Sequence, residues 1–197
     1  MFEGVSSRQD NDLIAEMAFG LFCAAAAANT EVGQLNQLSR EQIVRMACDR
    51  IALLRGPACG GQVHATTAHQ QDAFHLALRL QTYFAGTVQD LQIQPRIEGL
   101  GVLGSCYADL ARGGELIEVK MRSTGFMSID VRQILIYAAL ANSRAGRSFG
   151  TCTLVNPRLG ASLRFNVCDL IRQISELSPE AFYRTFQDFL LCSAADE

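Results

Sequence analysis

The alternation of apolar and polar positions divides this chain into a helical first third, an extended middle and a mixed end. "LIAEMAFGLFCAAAAA", residues 13 to 28, is apolar almost throughout and predicts a buried, alanine-rich core helix with Asp12 as its cap. "NTEVGQLNQ" breaks that pattern. Ser39, with Gln42 three residues on, then forms a capping box. It opens a second helix with Ile43, Met46, Ala47 and Ile51 at core spacing, ending near Gly56-Pro57. "GPACGGQ" reads as a loop, and a third helix is expected from about Ala68 to Phe84, stopped by Gly86.

From residue 90 the period changes. "LQIQPRIEGLGVLG", 91 to 104, reads as one extended, glycine-punctuated strand, with Pro95 at an edge or a strand start. "YADLARGGELIEVKM", 107 to 121, reads as a tight hairpin turning at Gly113-Gly114, because glycines enter positive φ freely. "DVRQILIYAALANS" predicts a helix, and "SFGTCTLV", "NPRLG" and "ASLRFNV" a second hairpin. Ser178 caps a last helix, with Pro179 at its first position. The expected fold is α/β: a mixed central β-sheet flanked by helices, with an extra N-terminal helical region. The expected division is 1–60 for that region and 61–197 for the sheet-bearing core with its C-terminal helix.

Composition narrows the class. The chain has 197 residues, 49% of them apolar and 19% charged, which is ordinary for a globular domain with a real core. The run at 13–28 lacks a basic lead-in, since Asp10 and Asp12 precede it and Glu16 sits inside it. It is also shorter than the ~20 residues that span a bilayer. A cytoplasmic protein with no membrane partner is expected. The seven cysteines include no C-x-x-C pair, so neither a zinc ribbon nor an iron–sulfur cluster is signalled; buried free thiols are expected.

The hairpin carries the chemistry. A turn at the twin glycines sets Asp109 across from Glu118, and alternation puts Lys120 on their face. Ala108, Leu110, Ile117, Val119 and Met121 take the other, apolar face. Like charges directly opposed on a sheet repel at ~5 Å between Cβ atoms, which a merely solvated face has no reason to tolerate. Lys120 is also the only lysine among 17 cationic residues. A slender ammonium enters a crowded site where a planar guanidinium does not fit in the same way. Two carboxylates on neighbouring strands, with the Val119 carbonyl and waters, make an oxygen ligand set for magnesium or manganese and not zinc.

These residues resemble the PD-(D/E)XK nuclease superfamily: Asp109, then Glu118-Val119-Lys120, match its D…(D/E)-x-K core. "QILIY", Gln133 to Tyr137, is similar to the Q-x-x-x-Y element of the RecB-like branch. The resemblance spans about residues 68 to 167 and implies a restriction-endonuclease-like fold with Asp109, Glu118, Lys120, Gln133 and Tyr137 as catalytic residues. It implies Mg2+ or Mn2+ as cofactor, and DNA as substrate, with RNA left open. Ala108 stands where the family often has proline. The resemblance also calls for a helical histidine as metal ligand: His75, with His64 and His69 as rivals. Asp72 or Glu98 are alternative carboxylates.

Gln133 has a second reading, since Asp130 followed by Gln133 also forms a D-x-x-Q helix start. The net charge of −3 is weak for a nucleic-acid binder, but eight cations face three acids between Arg112 and Arg164, Arg144 and Arg147 among them. Arg122, Arg132 and Arg158 are the expected phosphate contacts. No stacking platform or DNA-reading motif is visible, so a protein partner is expected to supply specificity. Small nucleases of this superfamily work beside an ATPase or sensor in bacterial defence or repair. A homo-oligomer and an inactive nuclease-fold interaction subunit are the alternatives carried forward.

Overall fold

The computed structural model describes residues 8–56, 62–142 and 148–193. Most of the expected loop after Gly56, and Arg144 and Arg147 of the basic stretch, lie outside them. The chain forms two compact units. The first runs to Gln89 and takes in Met121–Ser123 and Pro157–Gly160; the second holds Asp90–Lys120, Thr124–Asn156 and the chain from Ala161 on.

The first unit contains helices α1 (Arg8–Ala27), α2 (Gln37–Arg55) and α3 (Thr67–Tyr83). The division falls after residue 89 and not at 60, because α3 packs most extensively on α1. In α1, Leu13, Ile14, Met17, Ala18, Leu21, Phe22 and Ala25 are buried, a broad stripe at helical spacing that receives both neighbours. The helix begins before Asp12, which is therefore inside it and not its cap. Gly20 faces α2: Ile43 Cγ2 would stand 2.8 Å from a β-carbon there.

The cap of α2 is Asn36, whose side chain accepts from the Ser39 N–H at 2.8 Å, so Ser39 lies in the first turn instead of capping. Ala47 and Ile51 are buried as expected. Met46 is 62% exposed, and Leu38 and Leu53 share its outward position. Helix α3 has the expected extent and carries a capping box of its own, with Thr66 and His69 bonding each other's backbone N–H. Gly86 follows at φ +78°. No described helix is long and apolar enough to cross a membrane.

The second unit carries strands β1 (Gln92–Ile93), β2 (Arg96–Ile97), β3 (Cys106–Tyr107), β4 (Leu110–Arg112) and β5 (Glu115–Val119), then helix α4 (Ser128–Asn142). Strands β6 (Thr151–Asn156) and β7 (Ala161–Asn166) and helices α5 (Val167–Ile174) and α6 (Pro179–Ser193) complete it. The main sheet has the order β1-β4-β5-β6-β7. All neighbours are antiparallel except β5 and β6, which run parallel with α4 as the crossover. An α/β architecture with a mixed sheet and helices is thus present.

The stretch expected as a single strand at 91–104 is split. Gln94, at φ +47°, and Pro95 redirect the chain, so β1 pairs with β4 while β2 pairs with β3 in a separate ribbon. Helix α5 is an addition to the expected elements; Asn166 caps it directly from the end of β7. Ser178 caps α6, its hydroxyl accepting from the Ala181 N–H, and Pro179 is the first helical residue, as the sequence predicts. The core of this unit joins Ala111, Leu116 and Leu154 of the sheet to Ile134, Leu135 and Ala138 of α4 and Leu190 of α6. Of the six described cysteines, none is disulfide-bonded and only Cys152 is fully buried, which corrects the expectation that the thiols are generally interior.

Candidate active site

The hairpin of β4 and β5 has the register that a turn at Gly113-Gly114 requires: Leu110 faces Ile117, Ala111 faces Leu116 and Arg112 faces Glu115. Gly113 takes φ +56°, the left-handed region that the turn demands. Asp109 sits one residue ahead of β4, and the continuing register brings it to Glu118. The two residues clasp each other through the backbone. Asp109 Oδ2 accepts from the Val119 N–H at 2.8 Å, and Glu118 Oε1 accepts from the Asp109 N–H at 3.4 Å.

Neither face of β5 is a solvated one. Glu118 is only 2% exposed, because β5 is flanked by β4 and β6 and α4 covers the face it points from. Burial, and then the Asp109 carboxylate beside it, push the Glu118 pKa up to about 8, against the pull of Lys120. The two carboxyls are close enough to share a hydrogen bond. Lys120 Nζ donates to Glu118 Oε2 at 3.2 Å and to Gln133 Oε1 at 2.8 Å. Gln133 Nε2 donates in turn to the Tyr137 hydroxyl at 3.0 Å. Five side chains thus form one continuous polar chain: Asp109, Glu118, Lys120, Gln133, Tyr137. Burial above all holds the Tyr137 hydroxyl above its ordinary value, so it stays a neutral hydrogen-bonding group.

The capping reading of Gln133 is corrected. Helix α4 starts at Ser128, which puts Asp130 at the third helical position; its carboxylate reaches back to the Met127 N–H at 2.8 Å. Gln133 lies a turn deeper, i to i+4 from Tyr137, and faces Lys120.

The remaining sequence-nominated residues are distributed otherwise. His75 and Asp72 belong to α3 in the first unit; His75 is exposed. His69 serves the α3 cap, and His64 precedes that helix. Glu98 is exposed and held in the β2–β3 ribbon, where Arg96 Nη1 pairs with it at 3.2 Å and the Ser105 hydroxyl donates to it. Val119 meets the pair through its N–H. Among the described residues no group of three or more His, Cys, Asp or Glu side chains is gathered for a metal. With both carboxyls ionised, as a cation held between them requires, one lysine leaves a net negative charge. That fits a hydrated Mg2+ or Mn2+, which keeps several waters and needs one or two carboxylates, and does not fit zinc.

The basic footprint shrinks once partners are counted. Arg112 and Arg164 both pair with Glu115, at 2.9 and 3.0 Å. Arg158 Nε donates to the Met121 carbonyl at 3.0 Å within the first unit, and burial lowers its pKa. Arg122 is half-buried in the same unit. Arg132, exposed on the first turns of α4, is the nominated arginine left in solvent beside the site-bearing helix.

No protein-family model matches this chain, and no curated protein and no solved structure matches it either.

Proposed function

We propose that this chain is a Mg2+- or Mn2+-dependent nuclease of the PD-(D/E)XK kind that hydrolyses DNA phosphodiester bonds. The observation that carries the reading is the half-buried Asp109 beside the buried Glu118, with Lys120 bonded to Glu118, across a hairpin in the register a turn at Gly113-Gly114 requires. Like charges brought together in a low-dielectric interior destabilise the fold unless a ligand supplies the missing positive charge. Asp109 and Glu118 would hold the cation. When bound, it supplies charge neutralisation at a phosphoryl oxygen and a more acidic water.

The chain's own groups do the rest. An ammonium has three donor hydrogens, and Glu118 and Gln133 accept two of them. The third remains to orient a water for in-line attack or to meet charge growing on phosphorus. Gln133, itself fixed by Tyr137, holds that ammonium in place. This arrangement accounts for lysine at 120: its side chain is 17% exposed and threads between β5 and α4 to a single point. DNA contacts from Arg132, a protein partner that supplies specificity, and a role in defence or repair belong to the same proposal.

The test is cleavage of supercoiled and linear DNA by the purified chain with Mg2+ or Mn2+. Activity lost in Glu118→Gln and Lys120→Met, both folded, is expected. Equal activity in both variants removes the reading. A second reading, a nuclease-like interaction subunit, is favoured by the outward Leu38, Met46 and Leu53 of α2. It predicts no cleavage with either metal and no cation binding.

A further inference from the structure

A pocket of about 280 Å³ opens in the first unit among α1, α2 and α3. Its floor is apolar and closed to solvent, made by Met17, Leu21 and Ala73. Phe74 forms a wall. Thr67, Gln70, Gln71 and Phe74 line it from one side of α3, the i, i+3, i+4, i+7 set that shares a helix face. Thr67, Gln70 and Gln71 are exposed and make a polar rim, while α3 packs through Ala73, Leu76, Ala77 and Leu80.

Arg40 of α2 is the charged residue of this pocket. Its guanidinium lies 5.2 Å from the centre of the Phe74 ring, and Nη2 donates to the Gly33 carbonyl at 2.8 Å and to that of Val32 at 3.4 Å. Carbonyls and a ring fix its position without cancelling its charge, and no described carboxylate pairs with it. Its Nε is shielded from solvent and has no hydrogen-bond partner. The pocket wall also includes the first turn of α3, where the helix dipole favours negative charge.

We infer that this pocket binds a small organic carboxylate with a compact apolar body, its carboxylate on Arg40 and its body over Met17, Leu21 and Phe74. An apolar floor with a few convergent polar groups is the usual form of a small-molecule site, and 280 Å³ lies at the small end of that range. His75 also lines the pocket, but neither it nor any residue used here is among the groups of the proposed nuclease site, so the two readings stand apart.

The test is calorimetric titration of the full chain with 1-naphthoate and its neutral counterpart 1-naphthamide. Saturable one-to-one binding of the acid is expected, at least tenfold weaker for the amide and for Arg40→Gln. Arg40 also ties down the Val32–Gly33 segment, so Gln71→Trp, an exposed position whose new ring fills the mouth, is the second variant. Its melting temperature should stay near that of the parent while binding falls tenfold or more. No saturable binding up to millimolar acid, equal affinity for acid and amide, or unchanged binding in Gln71→Trp would each overturn the inference.

Discussion

Two glutamates three residues apart on β5 are both buried, and they have opposite surroundings. Glu115 accepts from the Thr153 hydroxyl at 2.6 Å and pairs with Arg112 and Arg164. Burial works to raise its pKa, but Thr153 and the two arginines outweigh it and hold the carboxyl below its ordinary value. Glu118 has Lys120, but it also has Asp109, and its carboxyl is driven upward. The first site is electrostatically complete and fixes β5 to β6 and β7. The second is short of positive charge. A strand that can neutralise one buried acid so fully has no structural reason to leave another in conflict, so the conflict at Glu118 is what points to a ligand.

The largest way to break that comparison is in the chemistry. Glu118→Gln and Lys120→Met should each lower metal-dependent DNA cleavage by about a thousandfold or more, since each removes charge from the transition state. Glu115→Ala should leave the specific activity of folded protein unchanged in the same assay. Stability should sort the two the other way. Glu115→Ala leaves Thr153 and Arg112 without their acceptor and should cost about 2 kcal/mol in urea unfolding, discounted because Arg164 is mostly exposed. Glu118→Gln should leave the metal-free protein as stable as the parent or more so.

The pH dependence should differ in sign. Glu115 has a depressed folded pKa, so its contribution is present above the ordinary 4.5 and is lost as pH falls below it. Acid unfolding followed by circular dichroism should therefore begin at higher pH in Glu115→Gln. Glu118 has a raised folded pKa, so in chelator-treated protein stability should decline as pH rises from 4.5 towards about 8. Melting temperatures across that window should fall less steeply in Glu118→Gln. The smallest expected effect is at Arg132→Ala: DNA affinity weakened severalfold, with the logarithmic salt dependence reduced by about one and turnover unchanged.

The hairpin was the most legible part of the chain. A two-glycine turn leaves one register, so Asp109 against Glu118 followed from counting, and the Gln133–Tyr137 pair from helical spacing. Burial of Glu118 was not legible. Local alternation describes a strand with one open face, and it takes the parallel partner β6 and the crossover α4 to close both. Helix starts are less legible: Asn36 caps α2 where Ser39 offers the same chemistry three residues on, and α4 begins at Ser128, two residues ahead of Asp130. The split of 91–104 depended on Gln94 entering positive φ, which its residue type does not announce. The arginines misled for a related reason. Arg112, Arg158 and Arg164 look available in a linear sequence; Arg112 is engaged by Glu115 across the hairpin turn, and Arg158 and Arg164 by groups brought from elsewhere in the chain. The pocket around Arg40 has no sequence signal, because its residues come from three helices.

The measurement that meets the central claim most directly is calorimetric titration of Mn2+ into chelator-treated protein, with Glu118→Gln, Asp109→Asn and Glu115→Gln alongside. One saturable site in the parent and in Glu115→Gln, absent from the other two, is the predicted result. Mn2+ binding that survives both Glu118→Gln and Asp109→Asn, or a parent chain that takes up no Mn2+, would contradict it.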